Sequence, residues 1–226
     1  MKMKPNTTVI LLFLIAVVIL TACGEGRRFS DLRYDDPSAY YLHVPEGYTE
    51  SMRWPLFIAL HEPREDSQDC IAEWFEIADE NEFFLLCPEL SGEDGNLEQA
   101  MNERLLAVIL TRIYQEYSLH NRFFLAGRSE AASFAMRYAY RYPEAIQGVS
   151  VVDATSYPSG VDTVSFPILI IVEQGDQEAI TAGNAFIDNL GGAGSQTRLL
   201  QIDDLGNGIP YRVQRLTVDL FEQVSR

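Results

Sequence analysis

"FFLAGRSEAASF", residues 123–134, decides how this chain is read. The apolar run at 123–126 has the character of a buried strand, and Gly127 breaks it. From Glu130 onward the alanine-rich stretch favours helix. Ser129 therefore falls on a strand-to-helix turn, where a side chain is presented at one edge of a sheet. A serine there is either a nucleophile position or a helix N-cap. A hydroxyl needs a base to react at neutral pH, and the chain holds only His43, His61 and His120.

Outward from that turn, strand-like runs recur at 40–44, 56–60, 83–87, 148–152, 168–172 and 197–202. Helical patterns fill 69–80, 98–117, 130–142, 179–190 and 210–224. The later strands are continuous apolar blocks, as in a parallel sheet covered on both faces. The alternation from residue 54 onward predicts one α/β domain over 39–226, its sheet mostly parallel, with helices on both faces and right-handed crossovers. The first two strands, joined by "PEGYTESMRWP", are read as an antiparallel hairpin at one edge.

Residues 1–22 read as a leader. Lys2 and Lys4 precede the apolar run "VILLFLIAVVIL", which is too short to span a bilayer comfortably. "LTAC" then ends in Cys23, a pattern similar to a bacterial lipobox, which implies a lipid on Cys23. Residues 23–38, polar and broken by Gly and Pro, read as the lipidated tether. The competing reading is an ordinary signal peptide or an uncleaved anchor. Either way the domain is expected outside the cytoplasm, on a bacterial membrane in the lipidated case. Loss of the leader removes both lysines and no acid, leaving 15 arginines against 33 acidic residues, a net charge of about −18. That surface repels nucleic acid and anionic headgroups, so membrane attachment falls to the lipid. Cys70 and Cys87 remain. A helix over 70–80 followed by a returning strand over 83–87 brings both sulfurs to the same end, and either a disulfide or two buried thiols fits.

Several segments in order carry a resemblance. "YYLHVPEGY", "WPLFIALH" and "WFEIADENEFFLLCPEL" are followed by the elbow segment, and "FPILIIVEQGDQEAI" comes after it. Together they resemble secreted α/β-hydrolases of the polyhydroxybutyrate-depolymerase and feruloyl-esterase type. The resemblance runs over roughly residues 39–224 and implies an α/β-hydrolase-like fold and serine-esterase chemistry. "GRSEA" stands where G-x-S-x-G is usual, making Ser129 the nucleophile position with Ala131 as a one-methyl departure. Asp176 takes the position of the triad acid, or else caps the following helix.

The base is missing from its place. The loop "IDDLGNGIPYRVQRL" carries Asn207 where the resemblance implies a histidine, and an amide has no accessible pKa. Only His61 ends a strand at the same sheet edge. It is either a replacement base or a histidine that organises the loop. The oxyanion region is altered too: "HEPRED" puts Glu62 and Pro63 where glycine N–H groups are expected, and Glu130 adds a carboxylate beside Ser129. Loss of a triad histidine costs about 10⁶ in rate, and a damaged oxyanion hole a further ~10²-fold.

The three histidines show no metal-ligand spacing, there is no C-x-x-C, and nothing in the sequence calls for a cofactor. Two functions stay open. One is an esterase-derived lipoprotein, catalytically impaired, that binds a partner or acts as a scaffold. The other is a carboxylic-ester hydrolase that uses Ser129 and Asp176 with a nonstandard base such as His61, taking a small ester or other ligand in the cleft.

Overall fold

The computed structural model describes residues 39–93, 96–160, 163–190 and 196–225. The leader, Cys23, the tether and most of "NLGGAG" (189–194) lie outside them.

The strands are β1 (Tyr40–His43), β2 (Trp54–Leu60), β3 (Phe84–Pro88), β4 (Gly92–Glu93), β5 (Asn96–Leu97), β6 (Leu119–Arg128), β7 (Ile146–Val152), β8 (Ile168–Glu173) and β9 (Thr197–Ile202). The helices are α1 (Ser67–Glu80), α2 (Gln99–Glu116), α3 (Ser129–Arg141), α4 (Gln177–Asn189) and α5 (Tyr211–Ser225). Seven strands form one sheet in the order β1-β3-β2-β6-β7-β8-β9, parallel except for β1, and β4 pairs with β5 as a small separate hairpin. The domain is thus α/β, with one mostly parallel sheet, as its apolar runs predict.

One expectation is corrected. β1 and β2 are not a hairpin: β1 pairs antiparallel with β3, Tyr41 opposite Cys87, and β3 lies between β1 and β2. The ten residues joining β1 to β2 are long enough to pass one strand, so the turn residues in them do not dictate neighbour pairing.

Each central strand sends alternate side chains to opposite faces. Leu56, Ile58 and Leu60 join the core covered by α2, α3 and α4, whereas Phe57 and Ala59 join the core covered by α1 and α5. On the latter face the Phe57 ring meets Trp74, Phe83, Phe124 and Phe221 at centroid distances of 5.0–5.4 Å. That cluster fixes the rotation of α1 about its axis, and with it the direction of Glu73 beside Trp74. The N-terminus of α1 is fixed as well. Asp66 and Asp69 form a capping box, and Glu89 at the end of β3 accepts hydrogen bonds from the Ser67 N–H (2.9 Å) and hydroxyl (2.6 Å).

From β2 the chain steps to β3 on one side, then returns past β2 to β6 and proceeds the other way through β7, β8 and β9. The strand order therefore reverses between β2 and β6, and the crevice beyond their C-terminal ends is where such sheets accept ligands. His61 follows β2 there, and Ser129 follows β6. Among the described residues no helix is long and apolar enough to cross a membrane.

A disulfide joins Cys70 in α1 to Cys87 in β3, with Cα atoms 5.9 Å apart and a sequence separation of 17. A loop of that length implies about 3 kcal/mol of stabilisation through the unfolded state. Urea denaturation of the oxidised domain is expected to show a free energy higher by about 2–4 kcal/mol than that of a Cys70→Ala, Cys87→Ala pair.

Candidate active site

β6 ends at Arg128 and α3 begins at Ser129 with no residue between them, so the chain reverses at one position. Ser129 takes φ +54°, the left-handed region that a non-glycine residue enters only under constraint. Gly127 makes the turn possible. A Cβ on it would lie 2.9 Å from both the carbonyl carbon and oxygen of Ala131. Ala131, Ala132 and Ala135 are fully buried, and their small side chains let α3 sit close to the sheet. Ser133 secures the turn from one level down: its hydroxyl reaches the Ser129 carbonyl (3.3 Å) and Thr155 Oγ1 (2.9 Å) and accepts the Ser156 N–H (2.9 Å). The geometry is that of a nucleophile elbow. The Ser129 hydroxyl itself makes no hydrogen bond to another described residue.

Strand register places the neighbours. Leu60 pairs with Gly127 and Arg128 with Val152, so the residues just after β2 and β7 flank the elbow. Those are Glu62 on one side and Asp153 on the other, and Asp153 is also left-handed at φ +46°. Between them lies the guanidinium of Arg128, 16% exposed, its Nε 3.6 Å from Glu62 Oε1 and its Nη2 3.8 Å from Asp153 Oδ2. The same group donates to two main-chain carbonyls of the loop after β9: Nη2 to Gly206 (2.7 Å) and Nη1 to Gly208. Asn207 lies between those two glycines, exposed. The loop that would carry a triad histidine is thus fastened to the elbow by arginine.

The electrostatics follow from burial. Desolvation, and after it the neighbouring Glu65, pushes the Glu62 carboxyl above its ordinary range against the opposing pull of Arg128. Desolvation raises Asp153 as well, while the Glu173 N–H (3.1 Å) and Arg128 hold it down. Glu73, aimed from α1 at the same loop, is raised to about 7, chiefly by burial, and its Oε1 accepts the Ile209 N–H.

The other candidates are placed as follows. His61 is 3% exposed and both its ring nitrogens are taken by main chain: Nε2 accepts the Leu90 N–H (2.8 Å) and Nδ1 donates to the Glu62 carbonyl (2.7 Å). Accepting at Nε2 fixes the proton on Nδ1. His61 therefore organises the loop and is not free to take a proton from Ser129, which corrects its candidacy as a base. Asp176 is the N-cap of α4: it is exposed, and its Oδ1 accepts the Ala179 N–H at 3.0 Å. The Glu62 N–H, in the oxyanion region, already donates to Glu65 Oε2 (3.1 Å), and Pro63 has none to offer. Glu130 departs from the expectation of a bare carboxylate opposing an oxyanion. Its oxygens are held by Arg137 (2.8 Å) and the Thr155 hydroxyl (2.8 Å).

Arg128, Asp153 and Glu73 were not among the residues singled out from the sequence. Arg128 stands inside the elbow motif, but its partners are brought by segments up to 80 residues away. Asp153 had one sequence signal, an acid directly after an apolar strand in "VVDA".

No family model and no curated protein sequence matches the chain. Solved structures do, across most of its length. The chain has the α/β-hydrolase fold. It is similar to a thermostable esterase at TM-score 0.65 and 16% identity, covering 83% of this chain and 59% of that one. An S-formylglutathione hydrolase from Staphylococcus aureus gives TM-score 0.65 at 14% identity over 87% of this chain and 98% of the other. A ferulic acid esterase gives 0.63 at 15% identity over 82% and 91%. In this α/β-hydrolase fold the turn at Ser129 is left-handed, while the segments that flank it are tied to one another.

Two substitutions test the elbow. Gly127→Ala is expected to destabilise by about 1–3 kcal/mol, because its methyl meets backbone that cannot yield. Ser129→Gly is expected to stabilise by roughly 0.5–1 kcal/mol by relieving the left-handed φ. Urea midpoints at constant slope check both.

Proposed function

We propose that this α/β-hydrolase-fold protein is an extracytoplasmic lipoprotein, derived from esterases and impaired in triad catalysis, that uses its active edge for binding or as a scaffold. The observation that carries the reading is the Arg128 guanidinium, bonded to both carbonyls that flank Asn207 and lying between Glu62 and Asp153. General-base catalysis needs an acceptor within hydrogen-bond reach of the hydroxyl and free to take its proton. Here Asn207 has no usable pKa, His61 is engaged by main chain, and Glu62 and Asp153 face a cation. The anchor rests on the lipobox-like "LTAC" and the short apolar run before it.

A second reading, ester hydrolysis by Ser129, is favoured by the retained left-handed φ of the elbow. Hydrolysis of a short-chain p-nitrophenyl ester by the mature domain, measured beside Ser129→Ala, separates the two. Equal background rates are expected, and turnover that disappears in Ser129→Ala would sink the proposal. Asn207→His alone is expected to gain less than about tenfold. The Glu62 N–H stays committed to Glu65, and an oxyanion donor is worth ~10²–10³.

The anchor has its own measurement. In a bacterial host, an alkynyl fatty acid should label the wild type and not Cys23→Ser, which should leave the membrane fraction. Equal labelling of both would refute lipidation at this cysteine.

A further inference from the structure

Helix α2 presents one stripe to solvent. Met101, Arg104, Val108, Thr111 and Gln115 follow one another at steps of three and four residues, so they share a face, and all are exposed. Met101 is 48% and Val108 53% exposed, two of the four large apolar side chains that lie open to water among the described residues. No acid is exposed between Ala100 and Gln115. Glu103, the acid within that span, is buried, and its carboxylate is held by Arg141 (2.8 Å) and the Tyr142 hydroxyl (3.1 Å). Glu98 and Glu116 stand at the two ends of the helix. On the opposite face of the sheet α1 is the electrostatic reverse: Asp69, Glu76, Asp79 and Glu80 are exposed, and the helix holds no Lys or Arg. The described chain also begins beside α2. The Glu89 N–H donates to the Ala39 carbonyl (2.9 Å), and Ser91, two residues on, exchanges hydrogen bonds of 2.8 Å with the Asn102 amide in the first turn of α2.

We propose that this stripe of α2 is a membrane-contact face, on which Met101 and Val108 enter the headgroup region and Arg104 meets lipid phosphate. The orientation rests on the lipid anchor at Cys23 proposed above: the lipid supplies the attachment and the stripe decides which side of the domain lies down. Residues 23–38 reach at most about 55 Å when extended, roughly twice the length of the 18-residue helix. The tether therefore permits this contact without imposing it, and the choice falls to the surface.

Net charge repels the domain as a whole from anionic headgroups, but screening limits each exposed charge to a range of about 8 Å at physiological salt. A tethered domain thus answers to the face in contact. The α1 face would bring four carboxylates to the phosphates. The α2 face brings an arginine and two apolar side chains, and in helices that lie in the interface apolar groups enter while cations stay with the phosphates. A crossover helix between parallel strands runs back along them, as α2 does from β3 to β6. With α2 flat on the membrane the strands lie along it too, so the elbow edge opens sideways at the lipid surface.

Quenching by lipid tests this. The full chain carrying Val108→Cys is labelled with bimane and reconstituted through its own lipid into vesicles of equimolar phosphatidylcholine and phosphatidylglycerol, with brominated acyl chains as the quencher. Tyr211→Cys, also at a position 53% exposed but on α5 across the sheet, is the reference. Quenching at 108 should exceed that at 211 by about twofold or more, and adding Arg104→Glu with Met101→Asp should bring the two values together. Chains that float with the vesicles yet quench equally at both positions would overturn the contact face and leave the anchor standing. A difference that persists in the doubly altered chain would overturn it as well. Chains that fail to float would refute the anchor, and the contact face with it. A bimane shift at 108 that scales with surface density and ignores bromination would put a second copy of the chain on the stripe and overturn the lipid contact.

Discussion

The active edge depends on one guanidinium. Arg128 is largely withdrawn from water, and a cation so placed must be met by charge or by well-aimed acceptors. Its acceptors come from three separate segments: Glu62 after β2, Asp153 after β7, and the Gly206 and Gly208 carbonyls after β9. Its own strand ends one residue before the elbow serine. A charge that needs all of these partners at once makes the ends of β2, β6, β7 and β9 a single unit. Its position also explains why two half-buried carboxylates can sit on either side of it without being driven apart.

The elbow itself has an independent mechanical origin. Helix α3 starts immediately after β6, and the close approach of its alanine face to the sheet leaves room only for glycine at 127. Under those constraints the residue at the turn must be left-handed, whatever its side chain. The φ of Ser129 is therefore a property of the strand–helix junction. Strained backbone of this kind persists where the surroundings over-determine it, and here Gly127, Ala131 and Ser133 do so. Elbow geometry and nucleophile activation are separate properties of the molecule, the first being set by packing and the second by a proton acceptor in reach.

Much of the fold was legible because the central apolar runs are buried on two faces, a condition that continuous Leu, Ile, Val and Phe announce directly. The pairing of β1 was not, because hydrogen-bond partners are chosen in three dimensions and the intervening residues were long enough to pass β3. At the site, the positions of Ser129, His61 and Asn207 could be read from their places relative to strand ends. The chemical state of His61 could not. It is decided by the Leu90 N–H, 29 residues away, which occupies Nε2 and so fixes the proton on Nδ1. The roles of Arg128 and Glu73 were equally hidden. A single arginine in "GRS" and a glutamate on an amphipathic helix carry no signal until the fold brings a third segment against both.

These couplings bear on the proposal that triad catalysis is impaired. Three groups at this edge able to take a proton already serve structural purposes: His61 orders the turn after β2, Asp153 receives the Glu173 N–H and faces Arg128, and Glu62 faces Arg128 from the other side. Freeing one of them leaves its former partner exposed or unpaired in a place that water reaches poorly, at a cost of the order of 1–3 kcal/mol for each buried polar group. A histidine introduced into the loop after β9 would have to be aimed by a backbone that Arg128 currently holds, and it would meet an oxyanion region whose first N–H is committed to Glu65. Interactions within one network do not add independently. On the proposed reading, triad activity would need concerted change at the elbow arginine, the turn after β2 and the loop after β9. On the proposed reading, the interactions that hold this edge together are the same ones that deny Ser129 a base.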